Sequence, residues 1–189
     1  HVLGDIIAIE DNQAVLLTYF RNNILHSFVL PSLVASLVEH NGKISRGDLI
    51  SVIRTLYPFL KAELFLKWNT DELKEQICQN ADALIQGGLM SQDEEGNLLS
   101  SAPNTEEHNQ LVVLAAPVKQ SLERYYMTLA LITQRGSGTI SAKQVEDLSH
   151  LLGQRLSVLY EFNSPEFFDK ALFQSFIKVL TQQEYIRTN

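Results

Sequence analysis

The longest apolar stretch of the chain runs from Ala14 to Val38 and reads AVLLTYFRNNILHSFVLPSLVASLV. It predicts a helix with apolar residues on nearly every side. That is the pattern of a helix buried in a core or in a membrane. Arg21, Asn22, Asn23, His26 and Pro31 interrupt the run, so it never reaches the roughly 18 uninterrupted apolar residues of a spanning segment. The stretch therefore reads as a central core helix. Asp11 or Asn12 can cap its start, and Asn41-Gly42 supplies the stop near His40. Pro31 is expected to kink or restart it, because proline removes a backbone donor and clashes with the preceding turn. Thr18, Asn22 and His26 fall on one face at i, i+4 and i+8, with Tyr19, Arg21 and Asn23 beside them. Buried, these groups need hydrogen-bond partners. They form either a network that fixes the register of the helix or a face that meets another domain.

The rest of the chain alternates helical patterns with turn signals. Val2 to Ile9 is a short apolar run that predicts a strand or an extended segment. Leu49, Val52, Ile53 and Leu56 mark one face of a second helix, with Ser45 as N-cap, Asp48 behind it and an interruption at Pro58. Asn69-Thr70-Asp71-Glu72 opens a third helix through Leu73, Ile77, Ala81 and Leu84, and Gly87-Gly88 ends it. Leu89 to Gln92 and Leu98-Leu99 flank an acidic turn ending in Gly96-Asn97, which predicts a small β-hairpin. After a linker containing Pro103, a long helix is expected from about Glu106, restarting at Pro117 and ending at Arg135. Another helix follows from Ile140-Ser141 to about Tyr160. A last one is expected from Asn163-Ser164-Pro165-Glu166 to about Gln183, with Tyr185-Ile186 as a possible strand.

These elements repeat. Ile44-Ser45 aligns with Ile140-Ser141, Leu49 with Val145, Val52 with Leu148, Leu56 with Leu152 and Leu60 with Leu156. After a two-residue gap, Asn69 meets Asn163, Glu72 meets Glu166 and Leu73 meets Phe167; Leu89-Met90 then meets Tyr185-Ile186. The expected fold is mainly α. It is a helical array of two winged-helix-like units, each preceded by a long helix, with the small hairpin and a possible short N-terminal strand. Residues 1–102 hold the central helix and the first unit. Residues 103–189 hold the long helix and the second, and the two pack as one domain. A winged helix raises the question of DNA. The helix that would enter the groove carries Asp71, Glu72, Glu75 and Asp82 against Lys74, and the wing carries Asp93, Glu94 and Glu95. Phosphate contacts need Lys and Arg there, so no nucleic acid is expected as a partner.

Bulk properties narrow the chemistry. The chain has 189 residues, enough for one sizeable core or two small ones, and a formal net charge of −7. Its single cysteine, Cys78, rules out an intrachain disulfide and reads as a small buried apolar residue. The opening His1 and the absence of a basic leader lead to the expectation of a fragment of a longer protein. Of the five histidines, His26 lies in the central helix, and His40, His108 and His150 fall at helix ends or on exposed faces. No HExxH, GxSxG or phosphate-cradling glycine loop occurs. The residues imply no catalytic, metal or cofactor site.

The wording of the first helices carries a resemblance. GDIIAI, then AVLLTYFRNNILHSFVLPSLVASL, ISRGDLISVIRTLYPFLKAELFLKW, QRLSVLYEFNSPEFFDKALF and a late EYI together cover almost the whole chain. They closely resemble the region after the catalytic domain in membrane-bound bacterial glycerol-3-phosphate acyltransferases. The resemblance implies a parent enzyme that transfers an acyl group from acyl-CoA or acyl carrier protein to the 1-hydroxyl of glycerol 3-phosphate. That reaction begins phospholipid synthesis, at the cytoplasmic face of the bacterial inner membrane. The family's hallmark is a histidine and an aspartate separated by four residues, the histidine acting as general base. Here the fifth residue after each histidine is Ile6, Pro31, Ser45, Val113 or Arg155, so no catalytic residue carries over. The chain resembles the C-terminal helical portion of such an enzyme, stabilising or docking on its catalytic domain. Thr18, Arg21, Asn22, Asn23 and His26 are the candidate docking or polar-network residues. A second expectation is a regulatory module for an acidic partner such as acyl carrier protein, with Arg124, Arg135, Lys143 and Arg155 as its basic contacts. A third is peripheral membrane association through the Pro31 region, though no basic amphipathic helix supports it.

Overall fold

A computed structural model describes residues 11–64, 66–159 and 169–187, and for part of the first and fifth helices it describes the backbone only. The first half contains α1 (Asp11–Asn41), β1 (Lys43–Ile44), α2 (Arg46–Glu63), α3 (Thr70–Gln86), β2 (Met90–Gln92) and β3 (Leu98–Ser100). The second contains α4 (Glu106–Arg135), α5 (Ala142–Leu159) and α6 (Lys170–Gln182). The protein is mainly helical with one small antiparallel sheet of order β1-β3-β2. Met90 pairs with Ser100 across the predicted hairpin, and Ile44 pairs with Leu98 to add a third strand that the sequence pattern did not announce. Helix, strand, two helices and a hairpin, with the first strand against the last, is the order of a winged helix.

Local chemistry sets the helix boundaries. The Ser45 hydroxyl accepts the Asp48 N–H at 3.0 Å, and the Glu72 carboxylate accepts the Asn69 N–H at 3.1 Å. Ser141 and Gln144 cap each other reciprocally, at 3.3 and 2.8 Å. α1 stops where Gly42 turns to φ +69° and bonds back to the Val38 carbonyl. Asp11 and Asn12, expected as caps, are already helical.

Pro31, Pro58 and Pro117 all lie inside helices that continue past them, so none interrupts or restarts its helix. Each costs one hydrogen bond and some strain. Burial on both sides holds the helix together across the break: Val29, Leu30 and Leu33 around Pro31, Tyr57, Phe59 and Leu60 around Pro58, and Ala115 and Val118 around Pro117. Tyr185-Ile186 is not a strand. Glu184 adopts φ +60°, and the N–H groups of Tyr185 and Ile186 turn back to the Leu180 carbonyl. Val2–Ile9, the Asn163–Glu166 start and the pairings of Asn163, Glu166 and Phe167 lie outside the described residues. The described part of the last helix is capped by Asp169, which accepts the Ala171 N–H at 2.9 Å.

The repeat is visible in the backbone. Gly42 and Gly138, Ser45 and Ser141, Leu49 and Val145, and Gly88 and Glu184 are separated by one constant spacing. Gly42, Gly138, Gly88 and Glu184 all have positive φ. Ser45 and Ser141 both cap helices, and Leu49 and Val145 are both buried. Leu89 bonds to the Leu84 carbonyl as Tyr185 bonds to the Leu180 carbonyl.

α1 and α4 make the most extensive interhelical contact. Leu33, Val34, Ala35 and Val38 of α1 meet a core that includes Leu49, Ile53, Leu60, Leu73, Ile77, Leu98 and Leu111. Among the described side chains of α1, those buried in this way lie from Val29 onward. Its earlier turns expose Leu17, Phe20, Ile24 and Phe28, where burial on all sides was expected. Leu33→Ala should lower stability by about 2–5 kcal/mol through lost burial and a residual cavity. Urea unfolding of the variant against the parent measures it.

Candidate functional site

Four places gather polar or apolar groups that could do more than fill a core. The first is a buried charge cluster at the join of α2, α4 and α6. Arg124 pairs with Glu63, and both side chains are nearly inaccessible. Ser121 donates to the same carboxylate oxygen at 2.8 Å, and the Tyr125 hydroxyl donates to the other at 2.7 Å. Arg124 also reaches Ser121 at 3.2 Å, while its Nε has no hydrogen-bond partner among the described residues. The Tyr125 ring stacks on Phe176 at 4.4 Å, and Phe59 tilts against Phe176 at 5.0 Å. Burial, reinforced by the Glu63 charge and hydrogen bond, pushes the Tyr125 phenol far above its ordinary value. Arg124 is therefore a core residue and not a contact for an acidic partner, which corrects the expectation from its charge alone.

The second is a cleft of about 520 Å³ between α1, the α2–α3 connection and α3. His26 lines it, with Trp68, Lys67, Gln76 and Asn80. The Tyr57 hydroxyl and the Lys61 ammonium both donate to the Trp68 carbonyl at 3.0 Å. Lys67 sits 4.6 Å from the centre of the Trp68 ring. His26 is exposed, and the residues lining the cleft include no carboxylate. Thr18, Arg21, Asn22 and Asn23 sit on the same helix, and their side chains are outside the described portions.

The third is an apolar groove of about 570 Å³ between the N-terminal halves of α1 and α4, with Ile24, Leu25, Phe28, Val113, Leu114 and Pro117 in its walls. Sequence reasoning missed this one. Leu17, Phe20, Ile24 and Phe28 follow the spacing of one helix face. The apolar residues on the other faces of the stretch hid the stripe. The fourth is an open groove between α5 and α6 lined by Lys143, Glu146, Lys170 and Lys178. Lys170 bridges Glu146 at 3.1 Å and Asp147 at 2.7 Å. Arg135 and Arg155 are exposed elsewhere, at the end of α4 and along α5. Cys78 is half-buried and free. Among the described residues no group of three or more His, Cys, Asp or Glu could hold a metal ion. No described helix is long and apolar enough to cross a membrane.

Fold and site together define a mainly helical module with a small antiparallel sheet, in which a buried ion pair joins α2 to α4. The chain matches the family described as the glycerol-3-phosphate acyltransferase C-terminal region over residues 1–189. It is 43% identical over 185 residues to a glycerol-3-phosphate acyltransferase of Pseudomonas paraeruginosa. It is 42% identical over 187 residues to one of Pseudomonas putida, and 40% identical over 185 residues to one of Pseudomonas fluorescens. These alignments cover 98–99% of this chain and 22% of each relative. No solved structure matches the chain. The chain belongs to the glycerol-3-phosphate acyltransferase family and corresponds to its C-terminal region. It spans about a fifth of the length of the curated relatives it matches.

Two stability predictions follow from the charge cluster. Glu63→Ala leaves Arg124 buried without its counter-ion and should cost about 3–5 kcal/mol, whereas replacing both by apolar residues of similar volume should recover most of the loss. Chemical denaturation of the single and double variants tests this. Tyr125 has a raised folded pKa, so its contribution is fully present below the unfolded value near 10 and is lost as pH rises towards the folded value. Above pH 10 the unfolded chain holds fewer protons, and stability should fall by up to about 1.4 kcal/mol per pH unit from this group. The slope should be shallower in Tyr125→Phe, measured by denaturation between pH 9 and about 11.

Proposed function

We propose that this chain is the non-catalytic helical portion of a glycerol-3-phosphate acyltransferase and that it stabilises or docks on the portion that carries the chemistry. In the whole enzyme that chemistry is transfer of an acyl group from acyl-CoA or acyl carrier protein to the 1-hydroxyl of glycerol 3-phosphate. The setting would be the cytoplasmic face of the bacterial inner membrane, with the protein peripheral to it. The observation that carries the reading is the match to the family's C-terminal region from end to end, with most of each relative's length lying outside it. The carboxylate-free cleft around His26 supports it, because general base catalysis needs a group that orients and stabilises the imidazole. Thr18, Arg21, Asn22, Asn23 and His26 belong to this reading as a polar contact face. The exposure of His26 favours contact with another domain over a buried network. The halves 1–102 and 103–189 would act as one rigid body.

A second reading has one observation in its favour. The α5–α6 groove carries Lys143, Lys170 and Lys178 in a chain whose net charge is −7. It would take an acidic protein such as acyl carrier protein. A titration at low salt that shows no binding sinks it. Nucleic acid has less support, since the exposed face of α3 and the hairpin are acidic.

The main reading is tested by acyl transfer with labelled glycerol 3-phosphate and a long-chain acyl-CoA. The chain alone should be inactive, and mixing it with the separately expressed N-terminal portion should restore turnover. Activity from the chain alone would overturn the assignment. In the full-length enzyme Arg21→Ala should reduce assembly or stability more than turnover per folded molecule. A stable, well-expressed variant that has lost turnover would count against the docking role.

A further inference from the structure

The apolar groove between α1 and α4 has no role in the fold as described. Its walls come from the part of α1 that leaves the core. Ile24 is 55% exposed and Phe28 44%, Val113 of the facing wall is 72% exposed, and Leu17, further along α1 and outside the groove lining, is 53% exposed. Leu17, Ile24 and Phe28 recur at the spacing of one helix face, spread over about three turns. Contiguous exposed apolar surface of this kind marks an interaction site. We propose that the groove receives a protein segment from the acyltransferase portion that precedes this region in the same polypeptide. The proposal rests on the docking reading above and assigns a surface to it.

Three observations choose that occupant. The family's C-terminal region makes up 22% of each relative, so a much larger body of the same polypeptide must be accommodated. The groove is concave and two-walled, a shape that takes an inserted side chain or helix ridge and offers little to a flat bilayer. Its α4 edge carries Glu106, Asn109 and Gln110, with Glu107 exposed beside it. Helices that lie in a membrane interface carry Lys and Arg on the polar flank to meet anionic lipid, and this edge carries the opposite charge.

The test uses the full-length protein in its native membrane. A benzoylphenylalanine photocrosslinker replaces Val113, a position exposed enough that folding does not depend on it. Ultraviolet irradiation should yield an intramolecular crosslink to a peptide from the preceding portion, identified by mass spectrometry. Ile24→Asp should reduce that crosslink at least tenfold. A crosslink to residues 1–10, to a second copy or to lipid would overturn the proposal, and so would a photoreacted protein with no crosslinked peptide. Failure of the surface and failure of the docking reading are separable. If mixing restores turnover but Val113 does not crosslink to the preceding portion, docking stands and the surface is wrong. If mixing restores nothing while the crosslink forms, the surface stands and the non-catalytic completion role is wrong.

Discussion

The arrangement of this domain depends on one buried pair, Arg124 with Glu63. Taking two charges out of water is expensive, and mutual attraction offsets that only when the remaining hydrogen-bonding capacity is satisfied. Glu63 achieves this with three donors from one face of α4: Arg124, Ser121 and Tyr125. Those donors are adjacent only if α4 stays helical through the cluster and the end of α2 lies across it. The Tyr125 ring then stacks on Phe176, which brings α6 to the same place. A hydrophobic contact tolerates sliding. A carboxylate gripped from three directions does not. The pair thus fixes how α2 of the first unit meets α4 and α6 of the second.

The two units solve the same packing problem with opposite charge placement. In the first, Arg46 on α2 holds Asp82 on α3 at 2.6 Å. In the second, Glu146 and Asp147 on α5 hold Lys170 on α6. The tether between second and third helix is kept, and its polarity is reversed. The consequence is an acidic outer face on α3 and a lysine-bearing one on α6. The first unit also closes its sheet by pairing β1 with β3, and Lys43 on β1 reaches Asp93 in the hairpin turn at 2.8 Å. Similar helices have in this way acquired surfaces of different chemistry.

Helix positions were legible wherever local chemistry decides them. Ser45, Asn69 and Ser141 capped the helices that their side chains announced, and Gly42 ended α1, because a cap depends on residues within one turn. The prolines misled, since the cost of Pro31, Pro58 or Pro117 is local while the burial that offsets it comes from distant residues such as Leu73 and Leu111. Strand β1 is two residues long and exists only through pairing with Leu98 and Leu99, far along the chain, so no local pattern could reveal it. The family was legible from long strings. Of the candidate face, His26 lies where solvent and a cleft meet it. The apolar stripe through Ile24 and Phe28 was hidden by an excess of apolar neighbours, because periodicity shows which residues share a face and not which face is covered.

The carboxylates of this region join its elements to one another. A general base works best unpaired and near neutral pKa. Glu63, Asp82, Asp93, Glu146 and Asp147 are each held by a cation on another element. The Lys43 and Asn97 partners draw Asp93 well below the ordinary carboxylate range, and Lys170 does the same to Asp147 in smaller degree. Asp93 and Asp147 are therefore poor proton acceptors, and all five carboxylates fasten one element to another. The cleft that His26 lines also holds the Gln76 and Asn80 amides, the Lys67 ammonium and the Tyr57 phenol, which donates to the Trp68 carbonyl. Part of the charge in this region joins its helices, and the surface keeps exposed charges such as Glu107, Arg135 and Arg155 together with apolar area.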